Sequence, residues 1–143
     1  MDEAGREGRR VDEETLRYLA GVLGAQSEVS GTSLFPMRKQ ETLVILLDTR
    51  YYPDRIQTVQ LELRVYTNSD FHVSYLEDYL GEVRQCRWDR HTQSHNTRDH
   101  FHPFPSASTV DAEDREFPDT IFELLQTVVL PWVQDRLGDV WEE

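Results

Sequence analysis

Three observations predict an α+β fold for this 143-residue chain, an antiparallel β-meander of about four strands with an N-terminal and a C-terminal helix packed on one face. Apolar residues recur at helical spacing near both ends of the chain. Between them, apolar and polar residues alternate in several short runs. Those runs are joined by tight turn signals and not by helical crossovers, so neighbouring strands run antiparallel.

Residues 1–10, MDEAGREGRR, offer little apolar surface and are expected to form a disordered tail, leaving 11–143 as a single domain. Asp12 is a suitable helix N-cap, and Leu16, Leu19, Ala20 and Leu23 follow on one helical face, with Gly24 as a stop. Residues 25–40 read as loop with a short strand near Ser33–Met37. Thr42–Asp48 (TLVILLD) is a continuous apolar run, which predicts a strand buried on both faces. Val59, Leu61, Leu63 and Val65 alternate with Gln60, Glu62 and Arg64, as in a strand with one wet face. Phe71, Val73 and Tyr75 continue the pattern after a turn at 67–70, and Cys86 and Trp88 follow a second tight turn at Leu80-Gly81. Residues 90–116 are polar and predict a loop, with a solvated acidic connection at Asp111–Glu116. Thr120 with Glu123 suggests a capping box, and Ile121, Leu124, Leu125, Val128 and Trp132 form an apolar helical stripe that Pro131 should kink.

Composition narrows the function. No apolar run is long enough to span a bilayer, and the N-terminus carries charge without the apolar core of a secretory signal. The lone Cys86 cannot form an internal disulfide, which predicts a reducing cytoplasm. The net charge is −12, and Lys39 is the single lysine among the basic residues. Such an acidic, arginine-biased surface is expected in a halophilic cytoplasm, where molar salt cuts the screening length to about 3 Å. An acidic partner-binding surface is the rival reading. There is no Gly-rich phosphate loop, G-x-S-x-G, HExxH, Cys-x-x-Cys, RNP or helix-turn-helix pattern.

The turns constrain register. A two-residue loop at Leu80-Gly81 pairs Tyr79 with Glu82, Tyr75 with Cys86 and Val73 with Trp88, all consistent with burial. On the opposite face His72 then lies across from Asp89, and Ser74 across from Arg87. A three-residue loop in the preceding hairpin puts Val65 across from Phe71 and Arg64 across from His72. Arg64, His72 and Asp89 therefore form a row across three strands, with Arg87 beside them. A carboxylate orients an imidazole and raises its basicity, and arginine holds an anion, so the row suits acid–base chemistry. A wet sheet face decorated with ordinary charge pairs is the alternative.

Four of the five histidines, His91, His95, His100 and His102, fall in one short stretch with Arg87, Arg90 and Arg98 nearby. Metal-free phosphodiester cleavage needs a base, an acid and cations for the phosphate, which such residues supply. Alternatively, His100-x-His102 on one side of an extended segment could pair as metal ligands, with His91 and Asp89 completing the set. The third possibility is a non-catalytic acidic interaction protein.

Arg87-Trp88-Asp89-Arg90-His91, followed by His95-Asn96 and His100-Phe101-His102 ahead of a C-terminal helix, resembles the TumE-type toxin family of prokaryotic toxin–antitoxin pairs. Arg90 stands where that family usually shows Asn, and the histidines are spaced instead of adjacent. The resemblance implies a small α+β protein acting on RNA and paired with a helix-turn-helix antitoxin, and the Arg/Asp/His group on one sheet face adds the expectation of a metal-independent endoribonuclease with no cofactor. It points to Arg87, Asp89, His91, His95, His100 and His102 as functional residues. His72 and Arg64 are added by the register, and Arg64, Arg90 and Arg98 are the expected RNA-binding cations. Self-association as a homodimer is left open.

Overall fold

The computed structural model describes residues 9–92 and 97–143. Its centre is an antiparallel sheet of seven strands whose spatial order is their order in the chain. The strands are β1 (Val29–Phe35), β2 (Thr42–Leu47), β3 (Ile56–Val65), β4 (Phe71–Tyr79), β5 (Glu82–Thr92), β6 (Thr97–His102) and β7 (Glu113–Arg115). Helix α1 (Glu13–Gly24) precedes them. A C-terminal helix follows, made of α2 (Ile121–Leu124), a π-helical turn (Leu125–Val129) and α3 (Leu130–Glu142).

Local chemistry explains most of these elements. Asp12 caps α1 by accepting from the Thr15 amide (3.1 Å) and hydroxyl (2.7 Å), and Leu16, Leu19 and Leu23 are the buried stripe. Leu80 and Gly81 both adopt positive φ (52° and 92°), as a two-residue hairpin turn matching the strand twist requires. In the preceding hairpin Ser69 takes the left-handed position (φ 75°). The register that follows is Val65↔Phe71, Val73↔Trp88, Tyr75↔Cys86 and Tyr79↔Glu82, as the alternation predicts.

Alternation decides which face is buried. Leu61, Leu63, Phe71, Val73, Tyr75, Cys86 and Trp88 point under the helices and are essentially inaccessible. Burying each large apolar side chain stabilises by about 1.5–3 kcal/mol. The C-terminal helix docks through Trp132, whose ring meets Tyr75 (4.9 Å) and Trp88 (5.6 Å) edge-on. Where Pro131 would press on the Thr127 carbonyl, the helix widens, and the Leu130 amide reaches back to the Leu125 carbonyl.

Two sequence expectations are corrected. The sheet has seven strands, not about four, because 90–116 supplies the end of β5 and all of β6 and β7. β5 runs on to Thr92 and carries His91, and Thr97–His102, with His100 and His102, forms β6 in the plane of the sheet. Its hydrophobic signal is missing because Asp99, satisfied by buried Arg90, takes a place on the helix-side face where an apolar residue is expected. The acidic Glu113–Arg115 segment pairs as β7 on the sheet edge. In addition, β2 is buried on one face only: Leu46 is 43% exposed, since both helices lie on the other side.

A buried ion cluster ties that helix to the sheet. Glu77 on β4 accepts from Arg136 Nη2 (2.6 Å) and Nε (3.1 Å), Arg84 Nε (2.9 Å) and the Tyr75 hydroxyl (2.6 Å). Burial alone pushes the Glu77 carboxyl up, but the Arg136 and Tyr75 hydrogen bonds outweigh it and hold the group below its ordinary value. Replacing Arg136 by Met leaves a fully buried carboxylate with one cation fewer. The expected cost is roughly 3 kcal/mol, to be read from urea unfolding, and an unchanged midpoint and slope would contradict it.

Candidate functional site

No helix of the described residues lies on the other face of the sheet, and two polar rows cross it. In the first, Arg64, His72, Asp89, His100 and Asp114 are consecutive cross-strand partners from β3 to β7. In the second, Ser74, Arg87 and His102 are partners from β4 to β6. Directly opposed side chains begin about 5 Å apart, so each row is within hydrogen-bonding reach along its length.

Asp89 is the hub, and it is only 7% exposed. His72 Nδ1 lies 2.8 Å from Oδ1, while Arg87 Nε donates to Oδ2 at 2.8 Å. His102 Nε2 lies 3.0 Å from the same Oδ2 and 3.2 Å from Arg87 Nη2. Burial pushes the Asp89 carboxyl up, but the hydrogen bonds from His72 and Arg87 prevail and hold it below the ordinary 3.8.

The bonding also assigns ring protons. A guanidinium only donates, and Arg9 Nη2 sits 2.9 Å from His72 Nε2. His72 therefore carries its hydrogen on Nδ1, towards Asp89, and presents the Nε2 lone pair outward. His102 is 5% exposed, and its Nδ1 is buried without a partner among the described residues. Its Nε2 can serve one neighbour at a time: unprotonated it accepts from Arg87, protonated it donates to Asp89.

Arg9, Tyr66 and Asp70 belong to this site although sequence reasoning passed over them. The Arg10 carbonyl accepts from the Thr67 amide (2.7 Å) and Val11 bridges Tyr66, which lays this stretch along the β3–β4 turn. Arg9 then stacks on the Tyr66 ring (4.5 Å) with Nε 3.5 Å from Asp70. Asp70, fully buried, also accepts from the Thr92 amide (2.9 Å). Position in an apolar-poor segment hid Arg9, and a turn setting hid Asp70.

The other expected residues divide. Arg64 keeps its place in the row, but its Nε donates to Thr42 (2.9 Å) and the side chain is exposed away from His72. Arg90 is a correction to the expected RNA-binding set. The period of two puts it on the helix side, 7% exposed, forked onto Asp99 (2.8 and 2.9 Å) and donating to the carbonyls of Phe117 and Asp119. His91 and exposed Arg98 oppose each other further along β5–β6. His100 Nδ1 faces Asp114 at 3.1 Å, at the edge of the cluster. His95 lies outside the described residues. Among the described residues no three His, Cys, Asp or Glu side chains are grouped to hold a metal ion. Asp89, proposed with His91, His100 and His102 as a metal set, instead has both oxygens bonded to imidazole and guanidinium. Cys86 is fully buried beneath the sheet, and burial raises its thiol far above the ordinary value, so it takes no part.

The chain was compared with known proteins. The family model described as Toxin TumE matches residues 19–137. The chain belongs to the TumE toxin family. Comparison with curated proteins and with solved structures gives no match. The match spans most of the chain and includes His72, Arg87, Asp89, His100 and His102, while Arg9 lies before it. As a TumE-family toxin it has an antitoxin as its partner. No helix among the described residues is long and apolar enough to cross a membrane.

The depressed Asp89 carboxyl fixes the sign of a pH effect. Its contribution to stability is present above its unfolded value near 3.8 and is lost as pH falls through the lower folded value. Asp89→Asn should flatten the acid limb of the stability–pH curve, measured by urea unfolding between pH 3 and 7, and a limb as steep as the parent's would contradict the assignment.

Proposed function

We propose that this TumE-family toxin is a metal-independent endoribonuclease whose reaction runs on the open sheet face around Asp89. The supporting observation is His72, oriented by Asp89 so that its Nε2 lone pair faces outward beside an arginine. Cleavage begins when His72 Nε2 takes the proton of a ribose 2′-OH. The 2′-oxygen attacks the adjacent phosphorus, the bond to the 5′-oxygen breaks, and an acid returns a proton to that leaving oxygen. The products are a 2′,3′-cyclic phosphate and a 5′-hydroxyl.

Attack and departure occur on opposite sides of phosphorus, so base and acid must flank it. His72 and His100 stand on either side of Asp89, two strands apart, which separates their starting points by roughly 10 Å. We assign His100 as the acid, with Asp114 orienting its Nδ1. Arg9 and Arg87 hold the phosphate oxygens, and a phosphate is the stronger acceptor for a guanidinium than imidazole. RNA thus draws Arg9 off His72 and frees the lone pair when the base is needed. His102, too buried to meet RNA, keeps Arg87 and Asp89 in place. Arg98, exposed on the same face, extends the cationic path. The net charge of −12 opposes RNA at long range, and in a halophilic cytoplasm salt screens that repulsion while the local arginines act.

With single-stranded RNA in the presence of EDTA, the purified toxin is expected to cleave, and His72→Gln to lower the rate by about 10²–10⁴-fold. Cleavage by His72→Gln at the parental rate would defeat this assignment.

A further inference from the structure

The helix side of the sheet holds a separate feature. Between α1 and the C-terminal helix lies an open groove of about 780 Å³ whose floor is the sheet at Ile45 and Leu47. Tyr18, Val22, Tyr51 and Phe122 line it, and each is between 42% and 61% exposed. Concentrating large exposed apolar side chains in one concavity is costly in water and marks a binding surface. The charged residues lining it are Glu28, which is exposed, and Asp48, whose carboxylate is buried and forked by Arg50 (2.7–3.1 Å), and no lysine or arginine is among the described lining residues. The lining suits neither RNA nor another anion.

We propose that this groove is the docking site of the antitoxin and receives the apolar face of a basic amphipathic helix. Its walls are helices, so a third helix can lay its i, i+3, i+4 and i+7 side chains between them. The exposed Glu28 carboxylate in the lining, together with the chain's −12 charge, favours a partner whose polar face carries lysine and arginine. The inference rests on membership of a toxin family and not on RNA cleavage, since the groove lies on the opposite side of the sheet from Asp89.

The test is calorimetric titration of the full toxin with its full-length cognate antitoxin. Val22→Arg, on the exposed side of α1, places a cation in the groove and should weaken Kd at least tenfold. Gln134→Arg, on the exposed surface of α3 at the groove, should act the same way and does not depend on the folding of the first variant. Val83→Arg, 54% exposed on the opposite sheet face, should bind as the parent does. Parental affinity in both groove variants overturns the proposal, as does weakening confined to Val83→Arg. It is equally overturned if the toxin alone is a dimer that Val22→Arg dissociates, because the groove is then filled by a second copy.

Discussion

Strand register is the constraint on which this molecule depends. Because side chains alternate with a period of two, one residue of slippage in β5 would expose Cys86 and Trp88 and bury Arg87 and Asp89 without partners. Turn geometry and core burial fix the same register: Leu80-Gly81 accepts a tight two-residue reversal, and Trp88 fits under the helices only when Val73 lies opposite. The Asp89 cluster is a consequence, since His72 and His100 become its cross-strand neighbours by counting alone.

The chain uses buried charge on both sides of the sheet, and the two uses differ. Beneath the helices, Glu77 with Arg136 and Asp99 with Arg90 have their hydrogen-bonding capacity filled by each other and by nearby carbonyls. They fasten the C-terminal helix and the loop before it to the strands. On the open face the pairing among the described residues is incomplete: His102 keeps an unpartnered Nδ1, Arg9 Nε lacks a hydrogen bond, and His72 Nε2 meets Arg9. Closed networks rigidify, and groups with capacity to spare can exchange partners. That contrast underlies placing the proposed chemistry at Asp89 and not at Glu77.

The two faces also divide the proposed tasks. Strands β6 and β7, built from polar sequence, widen one end of the sheet and carry His100, His102 and Asp114. The helices, short relative to that width, leave an apolar gap on the other side. RNA and antitoxin are thereby assigned to opposite surfaces of one sheet.

Much of this was legible in the residues themselves. Asp12 as cap, the Leu16–Leu19–Leu23 stripe, the β3–β5 register and the row Arg64–His72–Asp89 all follow from periodicity and turn chemistry, which act over a few residues. The Arg-Trp-Asp-Arg-His stretch also carried the family resemblance that the TumE match bears out. What escaped depended on partners far along the chain. β6 lacks an apolar pattern because Asp99 is neutralised by Arg90 and capped by the Phe117 amide. Arg90 itself looked like a ligand-binding cation until parity placed it in the core. Arg9 reaches His72 across 63 positions, and no local pattern encodes that contact. The sequence alone determined which side chains share a strand face, because alternation is a property of the backbone. Only the tertiary structure decided which charges are spent on one another and which face water, because that depends on where distant segments come to rest.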